Sequence, residues 1–536
     1  MIRVPESAPA GGAEGTEVGT PPPNAGISDH REREDRAHGA RGAGTNFLTL
    51  AGQTSLLLFQ ILGARLFGPA TWGAYAFGLS ALDVCGRLGL VGVDKGLLIF
   101  VPSRRTASDA EGVESAVATG IRISLVMGGI LAVAVFALSG VVADFYGKPT
   151  FGQALRRLAP AIPLATLTTV LVAATMSLKT LRYNLLVKGV TEPFLRIGLV
   201  ASFGLLATGI GALALVHVLA AVGTAAVAVF AFSRMFSLAR TIRGVIGARL
   251  DGQLVRYAVP LALAEFVNSF LAQTNILVLG KFRPAEDVGI YGACLALSTA
   301  VSFVRGAFDT VLAPIAAEAW VERDYPRLAR NLKLYSRVIL IFVIPLCGLM
   351  VVGGPALLGL HGPGFVRGRL TLAILALGHV INASFGLSGW IIMASGRSKT
   401  VLFNNGLALA INIAVCFLLV PRLGMAGAAL AATLTISVLQ ALQAVEGHLI
   451  ARAHPLSPGF VRLVTLGALV IGLELGAHHL LGGGTAIVGS LLPVVIGAAV
   501  FFALAWLSGS DDERVMLAGM MGRGLSAKST GGVEKP

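Results

Sequence analysis

The sequence is poor in charge. Asp, Glu, Lys and Arg make up only 13% of its 536 residues, about half the ~25% usual for soluble domains. With 55% hydrophobic residues and a mean hydropathy of +0.78, such a chain cannot dress a water-facing surface. A soluble globular class is excluded, and a bilayer is left as the solvent. Cysteine is scarce as well. Cys85, Cys294, Cys347 and Cys416 each sit alone in an apolar block, without metal-ligand spacing, so neither a disulfide framework nor a zinc site is expected. The Gly-x4-Gly-Lys-Ser/Thr pattern is missing, and direct ATP hydrolysis through a P-loop goes with it. No nucleophile–base pair, cofactor fingerprint or metal-ligand cluster can be assembled, so no catalytic residue, metal or cofactor is expected.

What the chain does have is long apolar runs. Segments of about 20 residues between polar or Gly/Pro breaks give fourteen expected spans. They fall near 45–64, 72–97, 119–142, 158–178, 190–207, 211–233, 254–280, 288–315, 335–355, 370–394, 400–420, 424–447, 461–480 and 486–507. The net charge of +14 is spread between these blocks and not gathered beside aromatics, which argues for membrane topology and against nucleic-acid binding. Lys179, Arg182, Lys188, Arg240, Arg243, Arg249, Arg323, Arg327 and Arg330 all fall in loops on one side. The positive-inside rule puts that side, and both termini, in the cytoplasm, as expected of a bacterial inner-membrane protein.

The expected organisation is a disordered cytoplasmic tail (1–43, without the apolar core of a cleavable signal peptide), a six-helix bundle (44–234) and a cytoplasmic amphipathic linker (235–252). A second six-helix bundle (253–448), two additional transmembrane helices (449–507) and a cytoplasmic tail (508–536) follow. Arg240, Arg243 and Arg249 among Leu, Ile and Val suit a linker helix resting on anionic lipid.

The two bundles repeat one another. Leu62-Gly63-Ala64-Arg65-Leu66-Phe67, Gly73-Ala74-Tyr75 and Leu79 correspond to Leu279-Gly280-Lys281-Phe282-Arg283, Gly289-Ile290-Tyr291 and Leu295 at an offset of about 216 residues. Gly209-Ile210-Gly211-Ala212-Leu213-Ala214-Leu215 corresponds to Gly424-Met425-Ala426-Gly427-Ala428-Ala429-Leu430 at a similar offset. Six spans per repeat is an even number, so the halves share one orientation and enclose a cleft that rocking can expose to either side. The fold class is therefore an all-α integral membrane protein, with parallel six-helix bundles plus two C-terminal helices.

Three stretches resemble the Wzx-type polysaccharide flippases. They are Leu66-Phe67-Gly68-Pro69 through Gly73-Ala74-Tyr75, Leu88-Gly89-Leu90 leading to Phe100-Val101-Pro102, and Val420-Pro421-Arg422-Leu423-Gly424 through Leu430. Those flippases belong to the multidrug/oligosaccharidyl-lipid/polysaccharide exporter superfamily. The resemblance covers roughly residues 45–450. It implies movement of undecaprenyl-diphosphate-linked oligosaccharide from the cytoplasmic to the periplasmic leaflet, with membrane lipids and polysaccharide polymerase or export proteins as further partners.

Charges inside the spans cost ~2.5–3.5 kcal/mol each at the bilayer centre, so they mark cavities or partners. Asp83 and Arg87 lie four residues apart in the second span, and Arg305 and Asp309 four apart in the eighth. The two arginines sit at nearly equivalent places in the repeat and suit a diphosphate across the cleft, unless each merely neutralises its own aspartate. Arg65, Lys281 and Arg283 at span ends either reach lipid headgroups or line a vestibule, where Arg65 and Lys281 would join the substrate site. Glu265, followed by Asn268, either couples to H+ or Na+ or pairs with a cleft arginine; drive by the membrane potential stays open beside ion coupling. Arg196, near Glu192, is a weaker candidate whose simpler reading is reach to the cytoplasmic face, and His217 and His379 are expected to be hydrogen-bonded core. Two other functions compete. A cation-coupled multidrug antiporter of the same superfamily needs an acidic cavity, which Asp83, Glu265 and Asp309 could supply. A membrane-embedded glycosyltransferase needs large outer loops, which the spacing of the spans does not leave.

Overall fold

The computed structural model describes residues 25–178, 180, 182–204, 208–247, 250–480 and 487–520. Among them every regular element is helical. The first half holds α1 (Ala25–Leu90), α2 (Val93–Thr106), α3 (Ala110–Tyr146), α4 (Pro149–Leu158), α5 (Ala161–Met176), α6 (Arg182–Asn184), a π-helical stretch (Leu185–Thr191), α7 (Glu192–Phe203) and α8 (Ile210–Ser233). A connecting helix, α9 (Leu238–Gly247), follows. The second half holds α10 (Gly252–Phe282), α11 (Ala285–Val321), α12 (Tyr325–Val351), α13 (Gly354–His361), a 3-10 turn (Pro363–Gly368), α14 (Arg369–Phe385), α15 (Ser388–Ala394), α16 (Ser398–Leu423) and α17 (Met425–Ala451). The chain continues into α18 (Pro458–Leu480), α19 (Ile487–Ser508) and α20 (Asp511–Met520).

Among the described residues, ten helices are long and apolar enough to cross a bilayer, or eleven when α4 and α5, bent by 46° at their break, are taken together as one span. Three of the fourteen expected spans fail that test, for local reasons. The first two share α1, and the fifth is the 12-residue α7, lengthened toward its N-terminus by the π-helical turns. α1 begins at Ala25, within the stretch 1–43 expected to be disordered; residues 1–24 lie outside the described residues. Within α1 the chain reverses at Gly68, whose φ of 75° is one that only glycine adopts without strain. The ring of Phe59 accordingly meets those of Trp72 and Tyr75, 6.0 and 6.3 Å away, so the two limbs run antiparallel.

α3 shows why this bundle needs lipid. Val126, Val133, Phe136 and Val141 stand exposed along it, Val133 by 69%, and water would not tolerate so continuous an apolar strip. The protein is a multi-pass membrane protein. Its ends are well defined: Asp109 caps α3 through the Gly112 amide at 2.8 Å, Gly147 ends the same helix at φ 64°, and Asp324 caps α12 through the Arg327 amide at 2.9 Å.

The face carrying α9 is called here the linker face, and the opposite one the far face. α10 starts in the first half and ends in the second. At the linker face Leu254 and Ala258 belong to the apolar cluster of α2, α3, α5 and α8. Toward the far face, Asn268 accepts from Asn405 at 2.8 Å and Asn275 from Cys416 at 3.0 Å, both on α16. Gly92 makes the lower contact feasible, because a methyl group there would overlap the backbone of Ala258. α20 docks at the linker face, where the buried Glu513 receives Arg337 and Arg462, each at 2.8 Å.

Candidate functional site

The two halves close on each other at the far face along a pseudo-twofold seam. Gly73 of α1 and Gly289 of α11 meet backbone to backbone. A methyl group on Gly73 would overlap the Ala285 carbonyl and stand 2.8 Å from the Gly289 amide nitrogen; one on Gly289 would overlap the Pro69 carbonyl and stand 2.8 Å from the Gly73 nitrogen. Charged donors reinforce the seam from both sides. Arg65 donates to the Leu360 carbonyl at 3.4 Å, and Lys281, its repeat equivalent, donates to the Phe145 carbonyl and lies 4.0 Å from the Phe145 ring. Lys148 adds a bond to the Gly280 carbonyl at 2.5 Å; burial and the neighbouring Lys281 hold its amine below the usual lysine range. Arg65 and Lys281 thus stand at the closed seam, in contact with main-chain oxygens of the opposite half.

Below the seam, between the helices of the first half and α10, lies a cavity of about 500 Å³. Asp83, Arg87, Lys188, Arg196, His217 and Gln273 supply its polar wall, and Leu82, Ala165 and Thr169 part of the rest. Each of these side chains has a definite setting. Asp83 turns away from Arg87 and accepts from Ser269 at 2.7 Å and from Gln273 at 3.4 Å, both on α10. Arg87 makes an ion pair with Glu265, also on α10, at 3.8 Å, with both side chains about one third exposed. Mutual neutralisation of Asp83 and Arg87 within one helix is therefore not what the structure shows: both reach across to α10, on separate partners.

Arg196 and Lys188 enter from the segment containing the π-helical turn, a distortion that re-aims side chains and is common at functional sites. Glu192 receives Arg196 at 2.5 Å and Lys188 at 3.7 Å. The guanidinium carbon of Arg196 lies 5.8 Å from the Phe59 ring, and its Nε is buried without a hydrogen-bond partner. So Arg196, which sequence position assigns to the cytoplasmic face, instead points into the cavity. His217 shares a 2.9 Å hydrogen bond with the hydroxyl of Tyr75 and also borders the cavity. The repeat-motif counterpart of Tyr75, Tyr291, is buried, and its hydroxyl has no hydrogen-bond partner among the described residues.

The second half is built differently. Arg305 donates Nε to Asp309 at 3.1 Å and Nη1 to Asn382 at 2.8 Å. Asn382 also receives Gln440 at 2.8 Å, and Asp309 receives the Trp390 indole at 2.8 Å. Ser302 and His379 share a further bond of 2.9 Å beside them. Arg305 is absorbed in this network and is absent from the cavity wall that holds Arg87. Asn268 is likewise bonded to Asn405 in the helix contact. Among the described residues no group of three His, Cys, Asp or Glu could hold a metal ion. From the sequence Lys188 is only a loop charge and Arg196 only a weaker candidate; the pairing of Glu192 with Arg196 at helical spacing was the signal present.

The family pattern described as "Polysaccharide biosynthesis protein" matches residues 62–363, more than half of the chain and the whole of this cavity. The chain belongs to that family. Solved structures agree on the fold. An inward-facing multidrug resistance MATE family transporter of the MOP superfamily superposes with a TM-score of 0.65 at 14% identity, covering 75% of this chain and 97% of its own. The lipid II flippase MurJ in an inward closed conformation gives 0.58 at 14% identity, covering 87% and 98%. A MOP superfamily transporter from Pyrococcus furiosus, noted for the reverse polarity of its binding pocket, gives 0.56 at 13% identity, covering 77% and 95%. The multidrug resistance protein NorM of Burkholderia vietnamiensis is 25% identical over 312 residues, 50% of this chain and 66% of the relative, so the match leaves about a third of that relative's length uncovered. The fold is that of the MOP superfamily.

Proposed function

We propose that this protein is a flippase that moves a polyprenyl-diphosphate-linked oligosaccharide from the cytoplasmic to the periplasmic leaflet by alternating access, with the linker face cytoplasmic. The observation that supports this most is the sign of the charges the cavity presents. Arg87, Lys188 and Arg196 face the space against Asp83 alone. Glu192 and Glu265 pair with these cations but are not among the residues that line the cavity, so its lining carries more guanidinium and ammonium groups than carboxylates. Guanidinium forks match phosphate oxygens, and the long Arg87–Glu265 pair is one that an anionic substrate can displace.

A second feature suits the lipid part of such a substrate. An apolar groove of about 520 Å³ runs between the two halves and α19, lined by Leu57, Phe303, Phe342, Leu346, Val494 and Phe502. A chain of isoprene units needs only such a surface. The energy source belongs to the same proposal: H+ or Na+ coupling, or the membrane potential. The likeness to NorM favours a second reading, a multidrug antiporter in which Asp83, bonded to Ser269 and Gln273, receives a cation.

The test is transport in liposomes. A fluorescent polyprenyl-diphosphate sugar is expected to change leaflet with wild-type protein and at least tenfold more slowly with Arg87→Ala or Arg196→Ala. Unchanged rates in both variants would remove the anionic site. Uptake of a lipophilic cation dye, lost in Asp83→Asn, would instead establish the antiporter.

A further inference from the structure

At the linker face, the end of α2, the start of α3 and the junction of α8 with α9 surround a second cavity of about 400 Å³. Its rim carries Arg105 and Arg240, while Leu178, Met235 and Phe236 form an apolar floor. Arg105 is exposed and, among the described residues, takes no part in any ion pair or side-chain hydrogen bond. Arg240 is held at 3.1 Å by Glu114, which also lines the cavity, but the pair is exposed and therefore weak. Arg104, next along the chain, is already engaged with Asp251 and the Gly112 carbonyl.

α9 forms one side of this cavity and is amphipathic in three directions. Thr241 is buried, and a methyl group on Gly244 would come within 2.9 Å of Ala118, so that flank is packed on α3. Leu238, Ile242 and Ile246, at helical spacing, are exposed by 41, 50 and 77%. Arg240 and Arg243 lie on the remaining side. A helix that packs one flank on protein, offers a second to hydrocarbon and holds arginines on a third lies in the plane of the headgroups.

We propose that this cavity is a binding site for an anionic phospholipid of the adjacent leaflet, separate from the substrate cavity. The phosphodiester is held by Arg105 and Arg240 at the rim, and the glycerol and first acyl methylenes rest on the apolar floor and on the Leu238–Ile242–Ile246 stripe. The charge selects the occupant. A zwitterionic lipid brings its own cation to a rim whose two arginines already outnumber the single Glu114 carboxylate, whereas an anionic headgroup supplies only the acceptor oxygens. Because α9 is the connection between the halves, an occupied site fixes the position from which α10 starts and makes its linker-face contacts lipid-dependent.

Delipidated full-length protein in a neutral detergent is titrated with short-chain phosphatidylglycerol or phosphatidylcholine, with native mass spectrometry and the thermal midpoint as readouts. Neither readout depends on which substrate is transported. Phosphatidylglycerol is expected to bind and raise the midpoint, and phosphatidylcholine to do so much less. Arg105→Ala is expected to weaken phosphatidylglycerol binding about tenfold, the loss of one charge-assisted contact. Glu114→Gln, which releases Arg240, is expected to tighten it. Arg105→Lys, which keeps the charge without the fork, is expected to fall between wild type and Arg105→Ala. Equal binding of the two lipids, or wild-type affinity in Arg105→Ala, would overturn the site. Glycerol phosphate or inorganic phosphate binding as tightly as the lipid would show a soluble anion to be the ligand instead.

Discussion

Gly73 and Gly289 occupy equivalent positions in the two halves, 216 residues apart, and in the folded protein they touch each other. Each lies where α1 or α11 enters the bundle from the far face, and each is pressed against the carbonyl two-fold related to the one its partner meets: Ala285 for Gly73, Pro69 for Gly289. A sequence repeat has thus become a symmetric contact. The seam depends on the absence of side chains at these two points.

Gly73→Ala or Gly289→Ala is expected to prevent the seam from closing, at a cost of about 1–3 kcal/mol for overpacking. The thermal midpoint should fall, and a cysteine placed at Thr71 should become more reactive toward a thiol reagent added from the far side. Unchanged labelling in both variants would show that the seam tolerates a methyl group by shifting.

Arg65→Met and Lys281→Met each remove one cross-seam donor and leave a carbonyl, of Leu360 or Phe145, without that partner. Each is expected to cost about 0.5–1.5 kcal/mol of the closed state. The two contacts share no atoms, so the double variant should show the sum of the effects. Spin-label distances between the halves would measure the shift.

Arg87 and Arg305 are expected to fail in different ways. Arg305→Ala removes one donor from Asp309 and one from Asn382, which keep Trp390 and Gln440, and should destabilise the fold by about 1–3 kcal/mol, the range for a charge-assisted hydrogen-bond partner lost from a partly buried network. Arg87→Ala breaks a long, partly exposed pair, and should change stability by less than about 1 kcal/mol. Its effect should appear in transport. Thermal melts beside flipping rates on the same preparations separate the two.

At the linker face the contact of α10 with the first half carries a pH dependence. Burial pushes the Asp251 carboxyl up, but Arg104 and the amides of Leu254 and Gln253 outweigh it and hold the group below the usual carboxylate range. Its stabilisation is complete at neutral pH, and is lost as the pH falls below about 4 and through the depressed value. Asp251→Asn, which keeps the helix cap and loses the charge pair, should flatten that acid limb. Asp251→Ala should in addition cost about 1 kcal/mol for the lost cap. Hydrogen exchange at the first amides of α10, followed against pH, checks both.

Glu513→Gln weakens both ion pairs that hold α20 against α12 and α18. Faster proteolysis between Ser508 and Asp511 is expected, with the spans intact. Equal cleavage in wild type and variant would mean that α20 is held by its apolar residues alone.

The sequence carried the membrane class, the repeat and most span positions, because each is written in local composition: apolar runs of sufficient length, and glycine motifs at a constant offset. Mid-span charges were legible for the same reason, since Arg87, Glu265 and Arg305 stand out against apolar neighbours. Their partners were not. Asp83 and Arg87 are correctly spaced to pair within one helix, yet Ser269, Gln273 and Glu265 on α10 take them, and only the approach of another helix settles that competition. Arg196 lay hidden for a related reason: the π-helical stretch at Leu185–Thr191 changes the depth and direction of all that follows it, and no local pattern announces an extra residue per turn.

The sequence by itself determined that the chain must live in a bilayer and fold as two like-oriented halves, because hydrophobicity and repetition are properties of the chain before it folds. The tertiary structure alone decided that the halves are unequal inside. It placed Arg305 in a closed network and left Arg87, Lys188 and Arg196 facing a cavity, because the environment of a charge is set by neighbours remote in sequence.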